Sequence, residues 1–342
     1  MQLSDIDYVL PVDLIAQTPI EPRDSARLLV DQGSQQPLHQ HVRDLCDFLQ
    51  SKDVLVLNHT RVLPARLRAR RSTRGAVEIL LLNRIGSDST SWEAMIKPGG
   101  KLRKGELLTV DQSEMMVEVG TRTIHGDTFS IHLLGSSVLA EILRVGEVPL
   151  PPYITQTLQD AERYQTVFSH DQRSAAAPTA GLHFTLELLD RIRDMGVQVL
   201  EVELVVGLDT FKPISDEDPL NHLIHSEAYS VSTDVLAKCI ETKNNGGRVV
   251  AVGTTATRAL ESAATTGLLS GSTTLFITPG YQWKLVDVMM TNFHMPKTTL
   301  LLMIESFIGK RWRSLYQQAI DKKYRMLSFG DAMLLHRQTD TV

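Results

Sequence analysis

The chain reads as an α/β protein interrupted by an inserted β-rich domain, a small antiparallel barrel or sandwich. Three observations predict this. A buried strand at Asp53 to Asn58, with a Val-Leu-Val-Leu core bounded by polar residues, has no neighbouring strands in sequence from which to build its sheet. From Val62 to Gly146 the texture changes to short β-branched runs separated by glycine and polar turns. After residue 185, helical and strand periodicities alternate, as expected for at least partly parallel strands. The expected division is residues 1–61 plus 147–342 for the α/β domain and 62–146 for the insert.

In chain order, a short extended segment leads to a helix at Val42 to Gln50 and then to the buried strand. Inside the insert the predicted strands are Ala76 to Leu82, Ser91 to Ile96, Glu106 to Val110, Met115 to Val119 and Thr128 to Leu134, closed by one helix at Ser137 to Arg144. Pro149-Leu-Pro-Pro-Tyr153 is a stiff connector. Helix 186–195, strand Val197 to Val206, helix Thr233 to Asn244, strand Arg248 to Val252, helix Ala256 to Ala264, strand Thr274 to Thr278 and helix Thr298 to Ile308 follow. No repeat of 20 to 50 residues is visible, which excludes a solenoid.

Composition sets the class. Apolar residues make up 42% and charged residues 22%, as in an ordinary globular protein. The acidic N-terminus lacks a secretory pattern and no apolar run approaches membrane-spanning length, so the expectation is a cytoplasmic protein without a membrane partner. Cys46 and Cys239 are too few for a disulfide scaffold or a cysteine-based metal site. The net charge is -5, yet residues 61–104 carry eleven Lys or Arg against three Asp or Glu. Arg66, Arg68, Arg70, Arg71, Lys101, Arg103 and Lys104 in this segment mark either a polyanion-binding patch or a solvated basic face.

Five stretches carry candidate chemistry. In Ala175 to Phe184, Pro178 restricts the backbone and Gly181 permits close approach, so Pro178, Thr179, Gly181, His183 and Phe184 form either a binding loop or a packing feature. In Arg248 to Arg258, a strand runs through Gly253 into a helix, with Thr254 or Thr255 as cap and free N–H groups that suit a carboxylate, hydroxyl or phosphate. No Walker or dinucleotide fingerprint occurs there. His222-x-x-His225-Ser226-Glu227 suits acid-base chemistry better than a metal, because its spacing is not that of a zinc helix. Thr291-Asn292-Phe293-His294-Met295-Pro296 offers an amide, a proton-transfer group and a stacking ring. Asn58-His59-Thr60-Arg61 follows the buried strand, where polar residues either line a crevice or simply leave the sheet.

These stretches, with Pro-Leu-Pro-Pro-Tyr-Ile, Arg-Tyr-Gln-Thr-Val and Phe-Gly-Asp-Ala-Met, together resemble the S-adenosylmethionine:tRNA ribosyltransferase-isomerase family of queuosine biosynthesis, over essentially the whole chain. The resemblance implies an α/β main domain interrupted by an inserted small antiparallel β-barrel domain. It implies ribosyl transfer from S-adenosylmethionine to 7-aminomethyl-7-deazaguanine at the tRNA wobble position, releasing adenine and methionine. S-adenosylmethionine is then a substrate and no metal or redox cofactor is needed.

On this reading the sulfonium acidifies the 5′ protons, a base removes one, adenine leaves, and the amine of the base attacks the former anomeric carbon. His225, His294 and His183 are the proton-transfer candidates, in that order, and Glu227 would orient an imidazole. Gly253, Thr254, Thr255, Arg258, Asn292, Asn58, Thr60 and Arg61 are assigned to substrate, and Phe184, Phe293 or Tyr281 to stacking on a purine-like ring. A monomer is expected. Two positions depart from the family pattern: His59 stands where Asn is common, and Val205, in Leu204 to Phe211, stands where His is common. A noncatalytic RNA-binding protein, a conventional methyltransferase and a paralogue with altered substrate are the competing readings.

Overall fold

The structure, a computed structural model, describes residues 1–86, 88–123, 126, 128–207 and 213–338 of the 342-residue chain. It divides into two compact units, one of Met1–Arg61, Pro151–Asp171 and Ala177–Val342 and the other of Val62–Leu150 and Gln172–Ala176.

The first unit begins with β1 (Arg27–Val30) and β2 (Leu38–His41), then β3 (Val54–Asn58). β3 is the apolar run singled out from sequence, and all five of its residues are buried. The helix expected before it is a 3₁₀ helix, Val42–Phe48, which buries Val42, Leu45 and Cys46.

The second unit holds β4 (Arg66–Arg71), β5 (Ala76–Arg84), β6 (Ser91–Lys97), β7 (Leu107–Val110), β8 (Met116–Arg122) and β9 (Phe129–Leu134). They close into an antiparallel barrel in the order β9-β6-β5-β4-β7-β8. Closure settles the barrel-or-sandwich alternative. Leu67, Ile79, Leu81, Trp92, Val117 and Ile131 fill the interior, and α1 (Val138–Val145) adds Val138 and Ile142 to the same core. Each such side chain contributes on the order of 1.5–3 kcal/mol by leaving water.

β4 is missing from the strands predicted by sequence. Its Arg-Leu-Arg-Ala-Arg-Arg run does alternate, with Leu67 and Ala69 inward, but the arginines hide the period in a reading based on apolar runs.

The first unit resumes with α2 (Leu186–Asp194), β10 (Gln198–Leu204), β11 (Glu227–Ser230), α3 (Thr233–Asn244), β12 (Val249–Val252), α4 (Gly253–Thr266), β13 (Ser270–Thr273), β14 (Val288–Asn292), α5 (Thr299–Ile308), α6 (Trp312–Asp321) and β15 (Ala332–His336). The nine-stranded sheet has the order β13-β11-β10-β3-β12-β14-β15-β1-β2. Its middle strands β10, β3, β12 and β14 are mutually parallel, which aligns their carboxyl ends on one edge. Leu55, Leu57, Val250, Val252, Val288 and Met290 on these strands pack with Leu188, Leu189 and Ile192 of α2.

One predicted strand is not formed. Thr274 to Thr278 was expected to pair, but the strand is the preceding Ser270–Thr273, antiparallel to β11. The apolar run Leu275, Phe276 and Ile277 instead lines a cavity, so its burial does not come from strand pairing. α4 also starts earlier than predicted. Val252 is the N-cap, without a side-chain hydrogen bond, and Thr254 and Thr255 lie inside the first turn, so neither is the cap.

Candidate functional site

Parallel strands deliver their last residues to a common crevice, and the side chains that follow them are poised outside the sheet. Here β12 ends at Val252 and β14 at Asn292. Gly253 makes the turn from β12 into α4 at φ +87, a conformation that favours glycine. The 3₁₀ helix Thr179–His183 supplies the facing wall. The resulting cleft is lined by Tyr153, Pro178, Thr179, Gly253, Thr254, Thr255, Thr291, Asn292, Phe293, His294 and Ser328, among others.

Asn292 organises the floor. Its Oδ1 accepts from Thr179 Oγ1 at 3.0 Å, and its Nδ2 lies 3.2 Å from His183 Nε2 and 3.3 Å from the Leu327 carbonyl. An amide nitrogen only donates, so His183 Nε2 is the acceptor and its ring is neutral. Burial, together with Arg325 and Arg23, pushes the His183 imidazole down to about 4. Its lone pair is therefore committed to Asn292.

His294 is also buried, and burial pushes its imidazole down to about 3. Its Nε2 sits 3.0 Å from Thr291 Oγ1. The backbone is pinned from both sides: the His294 N–H donates to Tyr316 OH at 3.0 Å, and Tyr8 OH donates to the His294 carbonyl at 2.5 Å. Of the three candidate histidines, His294 is the one that lines the cleft.

His225 lies elsewhere, beside the pair formed by Glu227 and Arg258. Glu227 Oε2 holds Arg258 Nη1 at 2.7 Å and Oε1 accepts the Gly207 N–H at 2.8 Å. The group that Glu227 orients across this contact is a guanidinium, where an imidazole was expected. The His225 carbonyl lies 3.4 Å from Arg258 Nη2.

Several expected ligand contacts prove to have structural partners. Phe184 is fully buried in the sheet core beside Phe168, which leaves its ring no free face for a base. A Cβ on Gly181 would meet Phe168 and Thr166 at 2.9 Å, so this glycine answers to packing. Phe293 lines the cleft but is only 1% exposed, set edge-on to Tyr316 and Tyr324. Tyr281 lines neither this cleft nor the cavity beside Leu275; its hydroxyl donates to Glu261 at 3.0 Å. Asn58 and Thr60 are buried against β10, with Asn58 exchanging hydrogen bonds with both the N–H and C=O of Leu204. Arg61 pairs with Glu162 and reaches Ser169.

At the departures, His59 stacks on His170 with ring centroids 4.2 Å apart and planes within 6°. Asp171 joins them in a His-His-Asp cluster, but parallel imidazoles do not converge their in-plane lone pairs on one ion. Val205 is buried and donates its N–H to the Ala228 carbonyl at 2.9 Å. Leu208 to Phe211 lie outside the described residues.

The basic segment is largely paired. Arg66 lies 3.6 Å from Glu78, Arg68 makes a two-pronged contact with Glu147 at 2.7 and 3.0 Å, Arg70 meets Asp111 at 3.1 Å, and Arg71 holds Glu106 at 2.5 and 3.0 Å. Lys101, Arg103 and Lys104 are exposed and, among the described residues, have no salt bridge within 4 Å.

Sequence reasoning missed Tyr153, Thr291, Tyr316 and Ser328. Tyr153 and Ser328 meet across the cleft at 2.7 Å. Tyr153 and Thr291 lie inside quoted motifs, whereas nothing local marks Tyr316, whose role depends on α6 packing against the segment after β14.

The chain is similar to known proteins over its whole length. The model of a family described as "Queuosine biosynthesis protein" matches residues 3–335. An S-adenosylmethionine:tRNA ribosyltransferase-isomerase from Symbiobacterium thermophilum is 46% identical, with 98% of this chain and 100% of the relative covered. One of the same description from Pelotomaculum thermopropionicum is also 46% identical over the same shares. A solved structure of S-adenosylmethionine tRNA ribosyltransferase from Thermotoga maritima is 35% identical, with a TM-score of 0.55, covering 96% of this chain and 99% of that one.

Proposed function

The chain belongs to the S-adenosylmethionine:tRNA ribosyltransferase-isomerase family of queuosine biosynthesis, and from that premise we propose that it transfers and isomerises the ribosyl moiety of S-adenosylmethionine onto 7-aminomethyl-7-deazaguanine at the tRNA wobble position. Epoxyqueuosine-tRNA, adenine and methionine are the products. The observation that carries the reading onto this structure is the cleft at the ends of β12 and β14, where polar side chains converge in a buried setting.

The reaction begins with loss of a 5′ proton made acidic by the sulfonium. His294 is the proposed acceptor, through Nδ1 with its Nε2–H donating to Thr291 Oγ1, because it lines the cleft and its depressed pKa keeps it neutral at physiological pH. Such an imidazole is a weak base in isolation, so the acidity of the sulfonium ylide precursor supplies much of the drive. His183 acts as a positioning residue, since its Nε2 lone pair is held by Asn292. Thr254, Thr255 and the first amides of α4 bind ribose hydroxyls. The electron pair on the 5′ carbon opens the ribose with departure of adenine. The base's amine adds to C4′ of the resulting vinyl sulfonium, not to the former anomeric carbon, and this addition restores the ylide at C5′. That carbon attacks the aldehyde at the former anomeric carbon to close the ring, and the alkoxide so formed displaces methionine from C5′ to give the epoxide.

S-adenosylmethionine serves as a substrate, and the sequence is redox-neutral, so the proposed chemistry calls on neither a metal nor a redox cofactor. No helix among the described residues is long and apolar enough to cross a membrane. We assign the protein to the cytoplasm as a monomer acting on tRNA.

Incubation with S-adenosylmethionine and tRNA carrying the modified base tests this. Adenine and methionine in equal amounts are expected. S-adenosylhomocysteine would assign a methyltransferase, and tRNA retention without turnover a binding module. The pairing of Arg66, Arg68, Arg70 and Arg71 with carboxylates weighs against the latter.

A further inference from the structure

Thr254, Thr255 and Leu300 line two cavities at once, the cleft already described and a second one beside it. The second is walled by Leu204, Ile224, Leu275, Phe276, Ile277 and Met303. A single ion pair interrupts that apolar wall, Arg258 with Glu227 at 2.7 Å. Arg258 is only 8% exposed, yet its hydrogen bonding is incomplete. Nη1 is well held by Glu227, Nη2 reaches two carbonyls only at 3.4 Å, and the buried Nε–H has no acceptor. Buried donors are nearly always paired, and a guanidinium with a spare N–H is suited to a carboxylate. Thr255, on the wall common to both cavities, likewise has its Oγ1 buried without a partner.

Two adjoining cavities match a ligand with two dissimilar ends. One end of S-adenosylmethionine is a nucleoside; the other is a short aliphatic arm ending in an α-amino acid. We propose that the second cavity is the subsite for the methionyl arm, with its α-carboxylate on Arg258 and its methylenes along Leu275, Ile277 and Met303. This rests on the ribosyl-transfer reading of the cleft. Glu227 is a positioning residue: fixed by the Gly207 amide, it holds the guanidinium in place. Thr255 lies at the joint between the arm and the ribose. The subsite gives the enzyme a hold on the part of the substrate that it later discards, and it assigns Arg258 to substrate selection.

Calorimetric binding of three compounds tests the assignment: S-adenosylmethionine, its decarboxylated analogue, which keeps the sulfonium and the amine, and 5′-methylthioadenosine, which lacks the arm. The wild type is expected to prefer S-adenosylmethionine over the decarboxylated analogue by about 30-fold or more, the order for a buried charge-assisted contact. Arg258→Gln is expected to reduce that preference to about threefold while binding 5′-methylthioadenosine as the wild type does, which also reports an intact cleft. Equal wild-type affinity for the two sulfonium compounds overturns the proposal, and so does full discrimination by R258Q. If R258Q does not fold, the wild-type comparison decides alone. Adenine release by the wild type reports separately on ribosyl transfer, so failure of the subsite is distinguishable from failure of the reaction.

Discussion

Asn292 Nδ2 approaches His183 Nε2 to 3.2 Å, and because the amide nitrogen can only donate, this contact fixes both the tautomer and the charge of the imidazole. Asn292 itself is oriented by Thr179 on one side and Leu327 on the other. The cleft floor is thus preset before any ligand arrives.

Replacing Asn292 with Asp keeps the shape but turns the donor into an anionic acceptor. The His183 pKa is expected to climb by about 2 or more, since an adjacent carboxylate favours imidazolium. An NMR titration of the histidine ring in N292D reads this directly. A His183 signal still titrating near 4 would show that Asn292 does not control the ring.

Stability should fall on mild acidification. His183 and His294 have folded pKa values of about 4 and about 3, below the ordinary imidazole value of 6.5, so unfolding takes up protons between these limits. Their contribution is fully present above about pH 6.5 and is lost as pH drops toward the folded values, by up to about 3 kcal/mol for His183 alone. Urea unfolding between pH 7 and pH 5 measures it, and His183→Gln and His294→Gln should each flatten the slope. Parallel pH profiles for wild type and both variants would remove the two rings from the account.

For His294→Gln, adenine release in a single-turnover assay is expected to slow by roughly 100-fold or more, the usual scale for losing an acid-base group. His225→Gln should stay within about tenfold of wild type, because His225 does not line the cleft. The reverse ranking, with both variants folded, would move the proton-transfer role to His225.

Cations without carboxylate partners are the ones ready for phosphates. Exchanging Lys101, Arg103 and Lys104 for Glu is expected to weaken tRNA binding about tenfold at low salt and to flatten its salt dependence. The same exchange at Arg68, Arg70 and Arg71 should act less on binding, since each already faces an acid. Filter binding across a salt series compares the two triple variants, and equal losses would count against the ranking.

Sequence pattern made the sheet centre readable. Val54–Asn58 and Val249–Val252 are fully buried parallel strands, and such strands appear as continuous apolar runs. The pattern failed where burial and pairing part company. Leu275 to Ile277 is apolar because it lines a cavity, while its neighbour Ser270–Thr273 pairs despite its small polar residues. β4 was hidden by its arginines. In the site, the motifs located Asn292, His294 and Thr255, but not what each touches. Phe184 and Asn58 look identical in sequence to ligand contacts, and only packing shows that one fills the core and the other clamps β10. Tyr316 was beyond reach, since a residue on α6 gains its role only when the chain returns to the segment after β14.

The nine-stranded sheet ends on β2 and β13, each four residues long and each exposed at three or more positions. A free strand edge is a template on which another chain can grow, and long apolar edges make folded proteins stick to one another. Here the borders are Leu38, two histidines and a glutamine on one side and serine, glycine and threonine on the other, too short and, apart from Leu38, too polar to recruit a partner strand. The six barrel strands meet in a ring and present no border at all. The chain therefore keeps its most apolar strands, β3, β12 and β14, away from any surface where aggregation by strand exchange could start.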